Sequence, residues 1–351
     1  MTEYLQLLLE AIEDPADPAL ERSVQGRLDS LTKPPGSLGR LEEIARWYCL
    51  ARGEALPAAP RKALCVFCAD HGVTEEGVSA YPREVTRQMV LNFAAGGAAI
   101  NALCRQGGVE ATIVDVGVDS EPFGPPVRDE KIARGTRNFA VEPAMTRGEA
   151  LQALEAGARL AAEAVDAGAT LLAAGEMGIG NTTAAAALGC ALTGRAADEL
   201  AGRGTGVDEA GRRHKAAVVE RALAARKPDS ADPVGALAAV GGLEIAAMAG
   251  YFLGAAARRV PAVVDGFIAT AAALAAVRLR KETLGYLLWS HESAEQGHRV
   301  LLQELGAKSL LQMGFRLGEG SGAAVAMGLV DQALAVYREM ATFDSAGVSA
   351  G

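Results

Sequence analysis

Apolar residues fall into two rhythms along this chain. Leu5, Leu8, Leu9 and Ile12 recur at helical spacing until Lys33-Pro34-Pro35-Gly36-Ser37 stops the pattern, and Leu38, Leu41, Ile44 and Ala45 restart it. Residues 51–62 read as a linker. From residue 63 short apolar runs at 64–69, 111–116, 170–174 and 261–264, with a weaker one at 285–289, alternate with helical stretches at 148–168, 183–193, 209–226, 243–257 and 267–280. Strand, loop and helix repeated in this way predict an α/β fold with a doubly wound, mostly parallel sheet. A last amphipathic helix, Ala323 to Met340, is expected to join the N-terminal helices. The predicted division is a small helical domain from residues 1–60 plus 322–351 and a large α/β domain at 61–321.

Composition narrows the partners. The 351 residues are 50% hydrophobic and carry a formal net charge of −9. An acidic chain of this size can bury a large core but repels nucleic acid and anionic membrane. A bound phosphate must then be held by local devices, such as a helix N-terminus and a placed cation. The five cysteines are Cys49, Cys65, Cys68, Cys104 and Cys190; Cys65 and Cys68 lie in a buried-strand pattern with no second pair, so core thiols are expected, not a zinc site. The N-terminal segment reads as an acidic amphipathic helix and no apolar run is long enough to span a bilayer, which points to a cytoplasmic protein.

Candidate chemistry gathers where chains leave the strands: Asp70-His71-Gly72, Asp115-Val116-Gly117, Gly175-Glu176-Met177-Gly178, Asp265-Gly266 and Ser290-His291-Glu292-Ser293. Open α/β sheets bind ligands along that edge. Gly175-Glu176-Met177-Gly178-Ile179-Gly180-Asn181-Thr182-Thr183 runs from a strand into an Ala-rich helix, where Asn181, Thr182 or Thr183 could cap the helix and its N–H groups favour a phosphate. No Lys follows the glycines as in a Walker loop, and the dinucleotide fingerprint fails because Glu176 and Met177 stand among them. A second loop, Gly202-Arg203-Gly204-Thr205-Gly206-Val207-Asp208, leads into a helix bearing Arg212, Arg213, His214 and Lys215, one of which could meet an anion. The four histidines, His71, His214, His291 and His298, lack metal-ligand spacing and read as hydrogen-bonded supports. In Met313-Gly314-Phe315-Arg316-Leu317-Gly318-Glu319-Gly320-Ser321-Gly322 one carboxylate stands between glycines at a helix start, beside apolar residues. The helix end favours its ionised form and apolar burial raises its pKa, which is how a general base is tuned.

Lys33-Pro34-Pro35-Gly36-Ser37-Leu38-Gly39-Arg40-Leu41, Ala69-Asp70-His71-Gly72-Val73, Gly77-Val78-Ser79-Ala80-Tyr81-Pro82, the 175–183 loop, Val263-Val264-Asp265-Gly266-Phe267, Ser290-His291-Glu292-Ser293-Ala294-Glu295 and Arg316-Leu317-Gly318-Glu319-Gly320-Ser321-Gly322 are spread along nearly the whole chain. In this order they resemble the nicotinate-nucleotide–dimethylbenzimidazole phosphoribosyltransferase family of cobalamin lower-ligand synthesis. The resemblance implies a Rossmann-like large domain, a homodimer, and a reaction between nicotinate mononucleotide and 5,6-dimethylbenzimidazole giving α-ribazole 5′-phosphate and nicotinate. It places Glu319 as general base. Glu176, Met177, Gly178, Gly180, Asn181, Thr182, Gly204, Lys215 and Ser293 fall around phosphate and ribose, and Tyr81, Gln88 and Leu317 fall near the benzimidazole. Glu176 or Asp265 is expected to bond ribose hydroxyls. No cofactor or metal is implied. The rival readings are a nicotinamide-dependent oxidoreductase, a non-catalytic nucleotide-binding regulator, and a metal-dependent phosphohydrolase using Asp70, His71 and Asp115.

Overall fold

A computed structural model describes residues 1–204 and 206–349. Thr205 of the second glycine loop lies outside them. Six strands form one sheet: β1 (Lys62–Ala69), β2 (Val109–Gly117), β3 (Arg128–Asp129), β4 (Leu171–Met177), β5 (Ala262–Val264) and β6 (Leu287–Trp289). All neighbours are parallel, in the order β3-β2-β1-β4-β5-β6. This is the order of Rossmann folds, and it reverses between β1 and β4, where such sheets open a crevice at the strand ends.

Both sheet faces are covered, and the side-chain alternation of β1 shows how. Cys65, Phe67 and Ala69 enter an apolar cluster with helices Arg147–Asp166, Asn181–Thr193, Leu243–Ala257 and Phe267–Leu279. Leu64, Val66 and Cys68 enter the opposite cluster, which holds Val24, Ile44 and Tyr48 from the first helices and Met327, Leu334 and Tyr337 from helix Ser321–Glu339. Helices Pro18–Ser30 and Arg40–Arg52 thus share one face with helix Ser321–Glu339, whereas Leu5 of helix Glu3–Glu10 and Ile12 just after it enter the opposite cluster. Cys65 and Cys68 point to opposite faces, and all five cysteines are free and buried.

Helices run where the apolar periodicity predicts them, but several elements carry weaker signals. Strand β3 is two residues long, and helices Val85–Ala94, Ala99–Gly107, Pro233–Val240 and Gln296–Glu304 stand in stretches to which the apolar pattern assigns no element. Tight contact explains the Gly- and Ala-rich composition. A Cβ on Gly157 would lie 1.8 Å from the Ala247 carbonyl oxygen, so helices Arg147–Asp166 and Leu243–Ala257 meet backbone to backbone. No helix among the described residues is long and apolar enough to cross a membrane.

Candidate functional site

The carboxyl ends of β1, β4, β5 and β6 converge with the segment before helix Ser321–Glu339, and the functional side chains assemble there. Gly320 caps that helix, so Glu319 stands one residue outside it, between Gly318 and Gly320. All three backbones are left-handed, with φ of 83°, 63° and 85°. A non-glycine residue tolerates that region only at a cost of about 1 kcal/mol, so the fold holds this turn against local preference. Asp265, at the end of β5, holds it there: its carboxylate accepts the Gly320 N–H at 3.2 Å and the Ala323 N–H at 3.0 Å.

Glu319 is buried, and its Oε2 has no hydrogen-bond partner among the described residues. Burial pushes its carboxyl above the ordinary range and the Asp265 charge adds to that, while the Ile100 amide at the start of helix Ala99–Gly107 pulls it down. Burial prevails, and the opposing pull comes from this neighbouring helix instead of the helix that Glu319 precedes, to which the sequence points. Glu319 lines an open, mostly apolar cleft of about 740 Å³. Tyr81, Val85, Met89, Leu103, Met177, Ile179, Phe315 and Leu317 supply its walls. Gln88 is exposed on helix Val85–Ala94 and does not line the cleft.

Across Leu317 lies a narrow crevice of about 70 Å³, in which Glu176, Asn181, Thr182, Asp265, Ser293, Glu295 and Arg316 share the lining with Gly178, Gly204 and an apolar wall of Phe267, Ile268 and Ala269. Gly180, with φ 97°, caps helix Asn181–Thr193 and no side chain bonds the cap, in contrast to the capping expected from Asn181, Thr182 or Thr183. Those side chains have other work. The Asn181 amide donates to the Glu176 carboxylate, and the Thr182 hydroxyl accepts from the Lys215 ammonium at 3.0 Å. Of the cations on helix Glu209–Arg226, Arg212 is committed to Asp198 and Glu209, whereas Lys215 is buried beside Gly204. Burial lowers its pKa to about 8 despite the Glu295 charge. Glu176 is pushed well above the usual carboxylate range by burial, then by the Glu244 and Asp265 charges.

Histidines frame this arrangement. His71 Nε2 lies 2.7 Å from Glu244 Oε1, with both side chains fully buried beneath the glycine loop. Glu244, an acid at the start of an otherwise apolar helix, is a signal the sequence offered and its reading passed over. His298 accepts the Ser293 N–H at Nδ1 (2.8 Å) and lies 2.9 Å from the Thr270 hydroxyl through Nε2, and burial pushes its pKa down to about 3. A neutral imidazole thus fixes the 291–295 loop. The acids of the phosphohydrolase reading are engaged elsewhere: Asp70 accepts the Asp119 N–H and faces Arg83, and Asp115 pairs with Lys131. Among the described residues no group of three or more His, Cys, Asp or Glu is placed to hold a metal ion.

Arg316 lines the apolar cleft, the narrow crevice and a third cavity of about 440 Å³ around Arg203 and Arg212. Its bridging position depends on chain return from β6, which linear spacing does not reveal.

Comparison with known proteins agrees with this geometry. A family profile described as Phosphoribosyltransferase matches residues 13–348. The nicotinate-nucleotide–dimethylbenzimidazole phosphoribosyltransferase of Chlorobium chlorochromatii is 53% identical over 350 residues, 99% of each chain. That of Geobacter metallireducens is 50% identical over 351 residues, again 99% of each. The crystal structure of the enzyme of the same name from Thermus thermophilus superposes with a TM-score of 0.90 at 47% identity, covering 96% of this chain and 100% of that one.

Proposed function

The chain belongs to the phosphoribosyltransferase family that this profile describes, and on that premise we propose how its residues carry out the reaction. The activity is nicotinate-nucleotide–dimethylbenzimidazole phosphoribosyltransfer in cobalamin biosynthesis: the 5-phosphoribosyl group of nicotinate mononucleotide passes to 5,6-dimethylbenzimidazole, yielding α-ribazole 5′-phosphate and nicotinate. Glu319 acts as the single general base. The observation that supports this reading is its buried, unpartnered Oε2 on the wall of an apolar cleft. A flat bicyclic base fits such a cleft, and a carboxylate there accepts the proton lost from one ring nitrogen while the other attacks the anomeric carbon.

The donor needs little further help. Its pyridinium nitrogen leaves as a neutral ring atom, so no leaving-group acid is required, and no pyrophosphate leaves that would call for a divalent cation. The reaction therefore proceeds without metal. Lys215, Thr182, Gly204 and the amides opening helix Asn181–Thr193 receive the phosphate, with the ribose spanning the crevice toward Leu317. Proton transfer to Glu319 contributes about 10²–10⁴-fold, and alignment of both rings across the sugar supplies most of the rest.

Two further proposals follow from family membership: the chain works as a homodimer, and in the cytoplasm. Light scattering that finds a monomer at working concentration removes the first. The transferase reading itself is tested by incubating the purified protein with nicotinate mononucleotide and dimethylbenzimidazole, with and without EDTA. Equal turnover in both supports it; turnover abolished by the chelator defeats the metal-free mechanism.

A further inference from the structure

Three acids line the narrow crevice: Glu176, Asp265 and Glu295. Asp265 has both oxygens committed to backbone amides of Gly320 and Ala323. Glu176 accepts from Asn181 through Oε2, and its Oε1 packs so closely on Gly318 that a Cβ there would lie 2.1 Å away. Glu295 is different. It is 7% exposed, and its Oε2 is buried without a hydrogen-bond partner among the described residues. The carboxylate is pressed onto the second glycine loop, since a Cβ on Gly202 would stand 2.0 Å from Oε2. Its own backbone N–H is anchored by the Ser293 hydroxyl at 3.3 Å, and Ser293 in turn by His298. An orphaned buried carboxylate oxygen costs on the order of 1–3 kcal/mol or more unless something donates to it.

We propose that Glu295 recognises the sugar of the donor nucleotide, accepting a charge-assisted hydrogen bond from a ribose hydroxyl. A phosphate is ruled out as its direct partner because two anions repel. The phosphate belongs instead on the Lys215 and Thr182 side of the same crevice, where an ammonium and a hydroxyl converge at 3.0 Å. The group next along a nucleotide is the ribose, whose hydroxyls are neutral donors of the kind Glu295 lacks. Glu295 is thus the residue that selects a nucleotide with the full ribose diol over an analogue lacking one of its hydroxyls. The inference rests on the transferase reading and extends it to a residue to which that mechanism gives no role.

The test is a set of dissociation constants, measured by calorimetry without acceptor, for nicotinate mononucleotide and its 2′-deoxy and 3′-deoxy analogues. Wild-type protein is expected to bind one analogue about 10- to 100-fold more weakly than the ribonucleotide. Glu295→Met keeps the bulk and removes both oxygens; it should bring that ratio to within about threefold. If Glu295 merely balanced the charge of Lys215, the variant would change all three constants alike and leave both ratios at their wild-type values, which overturns the proposal. Should the variant fail to fold, wild type still decides: equal affinity for all three nucleotides overturns it. Wild-type protein that does not turn over nicotinate mononucleotide with dimethylbenzimidazole would instead defeat the transferase reading itself.

Discussion

A Cβ on Gly175 would lie 2.3 Å from both the carbonyl carbon and the carbonyl oxygen of Glu319. The central strand and the turn bearing the carboxylate are in direct backbone contact, and neither can yield as a flexible side chain could. Gly175→Ala should therefore move Glu319 away from the cleft. We expect a destabilisation of about 1–3 kcal/mol, typical of overpacking, and at least a tenfold loss in kcat at temperatures where the variant stays folded. Thermal melts and steady-state rates check this; an unchanged kcat would show that the turn tolerates displacement.

Lys215 gives a prediction in which stability and activity part. Burial depresses its pKa from 10.5 to about 8, so between those values the unfolded chain binds more protons and stability of the empty enzyme rises with pH. Below about pH 8 the buried cation costs the empty fold its full penalty, about 3 kcal/mol. Lys215→Met should then raise Tm near pH 7 in the absence of nucleotide. The same change should raise KM for nicotinate mononucleotide far more than for dimethylbenzimidazole. Equal effects on the two KM values would contradict a phosphate contact.

The pH profile of kcat/KM follows from these two groups. Glu319 must be ionised to accept a proton, and burial holds its carboxyl above the ordinary range. Activity should fall as pH drops through an apparent pKa above about 4.3, the usual value for Glu. On the alkaline side, loss of the Lys215 charge above about pH 8 should weaken capture of the nucleotide, and Lys215→Met should lack that limb. A profile flat from pH 4 to 10 would contradict both assignments.

Much of this architecture was legible in the sequence because parallel strands buried on both faces give unbroken apolar runs. The strand ends, and with them the Glu176 turn, followed from small and polar residues placed just after those runs, and the Glu319 turn from a lone carboxylate set between glycines at a helix start. Strand β3 escaped because two exposed residues, Arg128 and Asp129, carry no apolar signal. Helices Val85–Ala94 and Ala99–Gly107 escaped because they are short, though Val85 with Met89 and Ala99 with Leu103 share the four-residue spacing of a helix face turned to the cleft. Partnerships were harder to see than positions. Whether Asp265 faces a sugar or two backbone amides, and whether Glu176 or Glu295 keeps a free oxygen, depends on segments distant in sequence. Hydrogen-bond satisfaction in the folded chain decides it.

The central claim is that the Glu319 carboxylate removes the acceptor's proton, and the kcat of Glu319→Gln at saturating nicotinate mononucleotide and dimethylbenzimidazole tests it most directly. The amide keeps the size and the turn but cannot take the proton, so kcat should fall about 10²- to 10⁴-fold while both substrates still bind. A kcat within a few-fold of wild type would remove Glu319 from the chemistry.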